Sequence, residues 1–385
     1  MICFLTWLSI ISILYAYFGY PAILNFLPKK EPFTPPETPK HPYFSIIVTA
    51  RNEESGIEKK IKNCIELKKY YESEAKGKAE VIIASDASED KTDQIVKSWS
   101  DKGVRLVRSE ERGGKERAQK MAATQAEGEI VFFTDVRAEL DKDALVKFSN
   151  YFQDSTVGAV STNDVVVQSE EGGSGEGFYV KYEMWLRKLE SEFCSLIGLS
   201  GSGFAVKREF CLDMQVDICS DFALLLQTRK AGLRGVQADD IECRYHAVKT
   251  EEQEFSRKVR TVLRGIATFF KGWDSSLISR DPVFVWQLLS HKIARWLVPI
   301  NMIIASIGIL ILATCSWFYQ LMTLLMLAFY GLAALGYSKK EFRDKIFVKI
   351  PLFFIITNLA ILVAWTKFAK GERSVVWSPS VRPKS

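Results

Sequence analysis

No charged side chain occurs between Met1 and Pro28, and no C-x-x-C pair occurs anywhere in the 385 residues. There are only three histidines, which leaves too few for a histidine-built metal cluster. The seven cysteines are scattered, a pattern of free thiols in a reducing compartment rather than of a disulfide framework or a zinc site. The net charge of +5 is mild, and no basic stripe interleaved with aromatics is present, so nucleic acid is not an expected partner. No internal repeat is visible. Met1–Pro28 also lacks the basic start and small-residue end of a cleaved secretory signal, so the expectation is a retained membrane anchor.

What is present begins with apolar length, since 48% of the residues are hydrophobic. Trp296–Ser338 is a second uncharged run, long enough for two spans. Ile350–Thr366 is a third, short for a span, that either crosses or dips in and returns. Few charges fall inside these segments, which argues against a transporter's substrate path. Lys29 and Lys30 after the first segment, His291, Lys292 and Arg295 before the second, and Lys339, Lys340, Arg343, Lys345 and Lys349 after it place those flanks in the cytoplasm. A full third crossing would put Lys367, Lys370 and Arg373 outside, against that rule. The expected layout is an anchor over 1–28, a proline-rich linker over 29–42 and a cytoplasmic domain over 43–283. An interfacial helix over 284–296 follows, with Lys292 and Arg295 near the headgroups. Two spans over 297–338, a basic loop over 339–349, a last membrane segment over 350–367 and a tail over 368–385 complete it.

Within 43–283, strand and helix patterns alternate. Phe44–Ala50, Val81–Ser85, Val104–Val107 and Ile130–Thr134 read as strands. Ile57, Ile61, Cys64 and Ile65 make one apolar helix face. Continuous rather than alternating apolar runs suit strands covered on both faces, so the expected class is α/β with right-handed crossovers. Three strand ends carry polar or acidic clusters: Arg51-Asn52-Glu53, Asp86 and Asp135. In a parallel sheet those ends meet at the edge where ligands bind. Asp135 alone also fits a turn residue capping the next helix, and Lys115 alone fits a solvated charge in a helix's first turn. The convergence carries more than either residue singly.

The run Ser85-Asp86-Ala87-Ser88-Glu89-Asp90, then Gly114-Lys115, then Asp135-Val136-Arg137, resembles the nucleotide-binding half of the family 2 glycosyltransferases, which have the GT-A fold. The resemblance continues through Gly198–Arg208, the family's small-residue turn and strand on the acceptor side, where Ser202 lies. Ser220-Asp221 stands at its paired acids, and Phe255–Gly265 at its Gln-x-x-Arg-Trp motif. Trp377–Arg382 is similar to a tail run of related membrane transferases.

The resemblance implies a Rossmann-like GT-A domain flanked by transmembrane helices. It implies an inverting hexosyltransferase of surface polysaccharide or glycolipid synthesis, in an integral membrane protein of the bacterial inner membrane. The donor would be a nucleoside diphosphate sugar, a UDP-sugar first, and the acceptor lipid-linked or a glycan. Thr49, Arg51, Glu53 and Asp86 would line the nucleotide pocket. Asp135 would carry Mg²⁺ or Mn²⁺, with His246 as a further candidate ligand. Lys115, Arg137, Arg257 and Arg260 would meet the diphosphate, and Asp221 would be the base. The chemistry agrees in outline: a leaving diphosphate needs its charge neutralised, and an attacking hydroxyl needs its proton removed. Three departures stand out. Arg137 replaces the second acid of Asp-x-Asp, Ser220 the first acid of the pair, and Thr261 the tryptophan that supports the acceptor in processive synthases. The first two leave room for a membrane-anchored protein that binds a nucleotide sugar without turning it over.

Overall fold

A computed structural model of the chain describes residues 1–385 apart from 32, 35, 37, 38, 168–174, 247–250, 344 and 374–385. The tail run Trp377–Arg382 lies outside the described residues. The chain opens with α1 (Ile2–Leu14), which continues through a wide turn into α2 (Tyr20–Phe26). The sheet domain then runs β1 (Phe44–Ala50), α3 (Ile57–Glu74), β2 (Ala79–Ser85), α4 (Thr92–Lys97), β3 (Val104–Arg108), α5 (Lys115–Gln125) and β4 (Ile130–Asp135). Its second half comprises β5 (Glu139–Leu140), α6 (Ala144–Tyr151), β6 (Val157–Val167), α7 (Gly175–Phe193), β7 (Gly203–Lys207), α8 (Arg208–Leu212), α9 (Ser220–Lys230) and β8 (Arg234–His246). Helices α10 (Glu251–Gly272), α11 (Ser276–Arg280), α12 (Pro282–Leu288), α13 (Ala294–Leu312), α14 (Trp317–Ser338) and α15 (Ile346–Ala369) complete the chain.

The eight strands form one sheet in the order β3-β2-β1-β4-β7-β6-β8-β5. β1 is buried along its whole length between β2 and β4, both parallel to it. Its side chains alternate between two cores, as the strand period requires. Ile46 and Val48 pack with Ile57, Ile61 and Cys64 of α3, whereas Ile47 packs with Ala118 and Ala122 of α5. That double cover is why the strand reads as a continuous apolar run. The four expected strands all form, and β3-β2-β1-β4 is the parallel unit anticipated from the sequence. The second half departs from uniform right-handed crossovers. β7 is antiparallel to both β4 and β6, and β5 is antiparallel to β8. β7 starts at the edge where β6 ends, so it has to run back.

The membrane-facing part corrects two expected boundaries. The helix begun by Pro282 does not stop at 296. A wide turn over Leu289–Ile293 joins α12 to α13, and one helical span runs Pro282–Leu312. Asp281 caps its start by accepting from the Phe284 amide at 3.2 Å. Arg295 does not point outward from the protein either. It is buried and bonds Glu183 at 2.8 Å, because α7 brings a carboxylate to it. The last segment begins at Ile346 rather than 350, since a helix accepts Lys349 in its first turn where an uncharged run does not.

The packing of α15 sets its direction. Near its start, Val348 and Leu352 lie against Gly336, at the end of α14. Near its end, Trp365 donates to the Trp296 carbonyl at 2.9 Å, and Phe368 stacks on Phe270 of α10. α13 starts at the sheet domain, and α14 returns toward it after a short connection, so both ends of α15 lie on the domain side of the bundle. α10 runs alongside it, from Lys258 over the Phe353 ring to Phe270 on Phe368.

Candidate active site

The first three strand ends build a braced rim. Arg51 is buried, and it donates to the carbonyls of Asp86 (2.9 Å) and Ala87 while pairing with Glu89 at 2.8 Å. It therefore holds the loop after β2 to the loop after β1. Asn52, at φ 51°, closes the same contact by accepting from the Glu89 amide at 2.8 Å. Asp86 is fully buried and accepts from the Gly113 amide at 2.7 Å and the Gly114 amide at 3.0 Å. Gly114 sits at φ 91°, which a side chain would strain, and this turn launches α5 with Lys115 as its first residue. Asp86 thus aims the lysine.

Lys115 crosses to the end of β4. Its Nζ donates to Asp135 Oδ1 at 2.7 Å and to the Gly201 carbonyl at 3.1 Å. Burial pushes its ammonium down, but Asp135, with Glu116 and Asp221 behind it, outweighs that and lifts it above its ordinary value. The Asp135 amide donates to the Ser202 carbonyl at 3.1 Å, which ties β4 to the small-residue turn before β7. Thr49 is the register partner of Asp135, and its buried Oγ1 has no partner among the described residues.

Asp221 lies in the first turn of α9. Its Oδ1 accepts from the Phe222 amide at 2.7 Å. Its Oδ2 comes within 3.2 Å of where a Cβ on Gly201 would stand, so glycine is what lets the carboxylate approach. Gly201 is the hub: lysine on its carbonyl, Asp221 against its Cα, Ser202 carrying the backbone on to Asp135.

Arg137 turns away from this hub. Its guanidinium lies across Gly56, pairing with Glu53 at 2.7 Å and donating to Ser55 at 2.7 Å. Arg257 and Arg260 enter from α10, with Arg264 on the same helix face. Arg264 pairs with the buried Glu116 next to Lys115. Burial works against the Arg264 charge, while Cys219, Glu116 and Asp221 outweigh it and push its pKa above the ordinary value. Burial, then Arg264 and Arg257, push Arg260 below its ordinary value.

Of the residues anticipated from the sequence, Lys115, Asp135, Ser202 and Asp221 gather around Gly201, with Thr49 beside Asp135. Arg51 and Asp86 are engaged in bracing the rim, and Glu53 and Arg137 pair with one another. His246 ends β8 and lines a separate cleft with Val136 and Arg137. Arg264 and Glu116 were missed, although Arg264 stands one helical turn beyond Arg260.

A divalent cation can be tested against this donor set. Among the described residues no group of three His, Cys, Asp or Glu side chains is arranged to hold a metal ion. Asp135 offers one carboxylate, 37% exposed at the mouth. That fits a cation taking its remaining ligands from phosphates and water, the usual way Mg²⁺ is held, and does not fit an all-protein cage.

The sequence model of glycosyl transferase family 2 matches residues 45–211, from β1 through Gly201 into α8, and Asp221 lies beyond the match. The chain carries a family 2 glycosyltransferase domain. Over 276 residues it is 27% identical to a beta-monoglucosyldiacylglycerol synthase of Nostoc sp. and 26% identical to one of Trichormus variabilis. Each match covers 67% of this chain and 56% of the relative, so the chain spans about half the length of these curated relatives. Among solved structures it is similar to a mannosyltransferase of Pyrobaculum calidifontis, determined with GDP-Man and Mn²⁺. The two are 23% identical with a TM-score of 0.69, over 96% of this chain and all of the other. The shared fold is GT-A, and it extends beyond the family 2 domain into the membrane-facing helices. Four helical spans here, Ile2–Phe26, Pro282–Leu312, Trp317–Ser338 and Ile346–Ala369, are long and apolar enough to cross a membrane.

Proposed function

We propose that this chain is a membrane-bound, inverting glycosyltransferase. It transfers a hexose from a nucleoside diphosphate sugar, a UDP-sugar first, to a lipid-linked or glycan acceptor in glycolipid or surface polysaccharide synthesis. The observation that carries this reading is the gathering of Lys115, Asp135 and Asp221 around Gly201, at the carboxyl edge of the parallel strands. The glycolipid synthases among its relatives favour an acceptor lipid.

In this reading Asp221 takes the proton from the acceptor hydroxyl. The bond from that oxygen to the anomeric carbon forms as the bond to the diphosphate breaks, on the opposite face, so one displacement inverts the centre. A hydrolase would need a second facing carboxyl kept protonated. Lys115 and the α10 arginines hold the departing diphosphate. Asp135 would hold Mg²⁺ or Mn²⁺, which when bound neutralises charge on the leaving group. Thr49 offers its unpartnered hydroxyl to the nucleotide side.

The basic flanks put the sheet domain in the cytoplasm of an inner-membrane protein. With both its ends on the domain side, α15 lies against the cytoplasmic leaflet without crossing. Lys367, Lys370 and Arg373 then stay inside, and the charge conflict of a third crossing disappears.

The test is a donor screen on the full chain in detergent with Mg²⁺ or Mn²⁺ and membrane lipid extract. The readout is nucleoside diphosphate release from a panel of sugar nucleotides, repeated with chelator and with Asp221→Asn. Release from one donor, abolished by Asp221→Asn with donor binding intact, supports the reading. Donor binding without turnover in the lipid-supplemented wild type would make the protein a nucleotide-sugar binder instead.

A further inference from the structure

We propose that Asp164 binds hydroxyl groups of the transferred sugar, and that the sugar is therefore a neutral hexose rather than a uronic acid. This rests on the reading of the hub as a nucleotide-sugar site.

The placement comes from the sheet. β7 lies between β4 and β6, with Thr134 opposite Gly203 and Ser161 opposite Phe204. Following both registers to the edge sets Asp135 and Asp164 on either side of the Gly201–Ser202 turn. They stand two strand spacings apart, roughly 10 Å between backbones. The edge is the one at which Asp221 meets Gly201. A donor whose diphosphate lies at Lys115 and Asp135 has its sugar over Gly201, between those two carboxylates and within reach of Asp221.

The surroundings of Asp164 suit hydroxyl recognition better than a structural role. Its Oδ1 accepts from the Ser200 hydroxyl at 2.6 Å and from the Thr162 hydroxyl at 3.4 Å. Ser200 is itself held, its amide donating to Ser161 Oγ at 2.8 Å. Arg187 braces that serine at 2.7 Å and the Gly198 carbonyl at 2.8 Å. Among the described residues Asp164 has no ion-pair partner, and no hydrogen bond reaches its Oδ2. Burial, only partly offset by Ser200 and Arg187, raises its carboxyl to about 6. A carboxylate in that setting costs stability unless something pairs with it. An ionised carboxylate accepts on both oxygens, so two sugar hydroxyls can supply what the protein does not. The same negative charge repels a carboxylate on the sugar.

The experiment is isothermal titration of the full chain in detergent with Mg²⁺ and Mn²⁺ present. The ligands are UDP, GDP, UDP-glucose, UDP-galactose, UDP-N-acetylglucosamine, UDP-glucuronate and GDP-mannose. The wild type is expected to bind one neutral sugar nucleotide more tightly than the matching nucleoside diphosphate and to reject UDP-glucuronate. Asp164→Asn should weaken that sugar nucleotide by about tenfold or more while leaving the nucleoside diphosphate unchanged. Its melting temperature should hold or rise, since the substitution removes a half-buried charge that has no ion-pair partner among the described residues. Ser200→Ala, which keeps the carboxylate but frees its orientation, should shift the same ratio by less. Equal weakening of nucleotide and sugar nucleotide in Asp164→Asn would overturn the assignment, as would no change in either. Failure of the wild type to bind any nucleoside diphosphate would overturn the underlying reading as well, so the two failures are separable.

Discussion

Glu190 is the side chain whose loss most directly tests how the sheet domain is held to the membrane helices. It is fully buried on α7. It accepts from the Tyr20 hydroxyl of α2 at 2.7 Å, and its Oε1 lies 2.7 Å from His291 Nδ1 in the turn joining α12 to α13. The far nitrogen of His291 lies 2.9 Å from Glu183, which also pairs with Arg295 at 2.8 Å. One helix of the domain therefore meets two apolar helical spans through charge-assisted bonds in a water-poor setting. Glu190→Leu keeps the bulk but orphans the Tyr20 hydroxyl and one histidine nitrogen. Each orphaned group costs about 1–3 kcal/mol, and breaking a buried pair costs about 3–5 kcal/mol, so we expect a loss of about 4 kcal/mol. At about 2 °C per kcal/mol for a chain of this size, the melting temperature should fall by about 8 °C. Thermal unfolding in detergent at a constant scan rate reads this, since unfolding of such a protein is operationally a rate. Tyr20→Phe removes one bond and should cost less. The double variant should cost less than the sum, because the hydroxyl that Glu190→Leu orphans is gone. A Glu190→Leu melt within about 2 °C of wild type would refute the reasoning and assign the attachment to apolar packing alone.

Three further outcomes follow from other contacts. Gly201→Ala places a Cβ 3.2 Å from Asp221 Oδ2, forcing the carboxylate aside. Turnover should fall about tenfold to a hundredfold with nucleotide binding and melting temperature unchanged, and wild-type turnover would separate Asp221 from the chemistry. Arg264→Met strands the buried Glu116 and should cost about 3–5 kcal/mol. Adding Glu116→Gln should recover much of that, and a double variant no more stable than Arg264→Met would show the pair is not coupled. Burial raises the Glu183 carboxyl, but His291 and Arg295 outweigh it and hold it well below its ordinary 4.5. The unfolded chain thus takes up that proton first, so the contribution is complete above pH 4.5 and drains away as pH falls further. Melting curves should drop below that point for wild type and less steeply for Glu183→Gln. Equal slopes would remove Glu183 from the acid response.

The family 2 domain was legible because its signals are local. β1 and β4 are buried on both faces, so their apolar runs are unbroken and end where the ligand edge begins. Gly113-Gly114-Lys115 announces a turn that only glycine tolerates and a helix start that follows it. Asp135 ends an apolar strand and Asp221 opens a helix, so each could be singled out as a candidate from its own stretch. Roles were less legible than positions. Arg51 and Asp86 fall in the expected loops, yet one braces backbone carbonyls and the other backbone amides, and no linear pattern reports which partner a charge finds.

Apolar length, a property of the chain itself, already determined that long apolar helices flank an α/β domain, and the basic flanks carry the proposed cytoplasmic orientation. The tertiary structure alone decided that Asp164 stands two strands from Asp135, because β7 runs antiparallel between them and register is set by pairing. It also decided that Arg295 is buried against Glu183 rather than exposed on the helix surface. The same packing brings both ends of α15 to one side of the bundle. Hydropathy measures what a segment is made of, whereas its direction and the partners of its charges depend on what packs beside it.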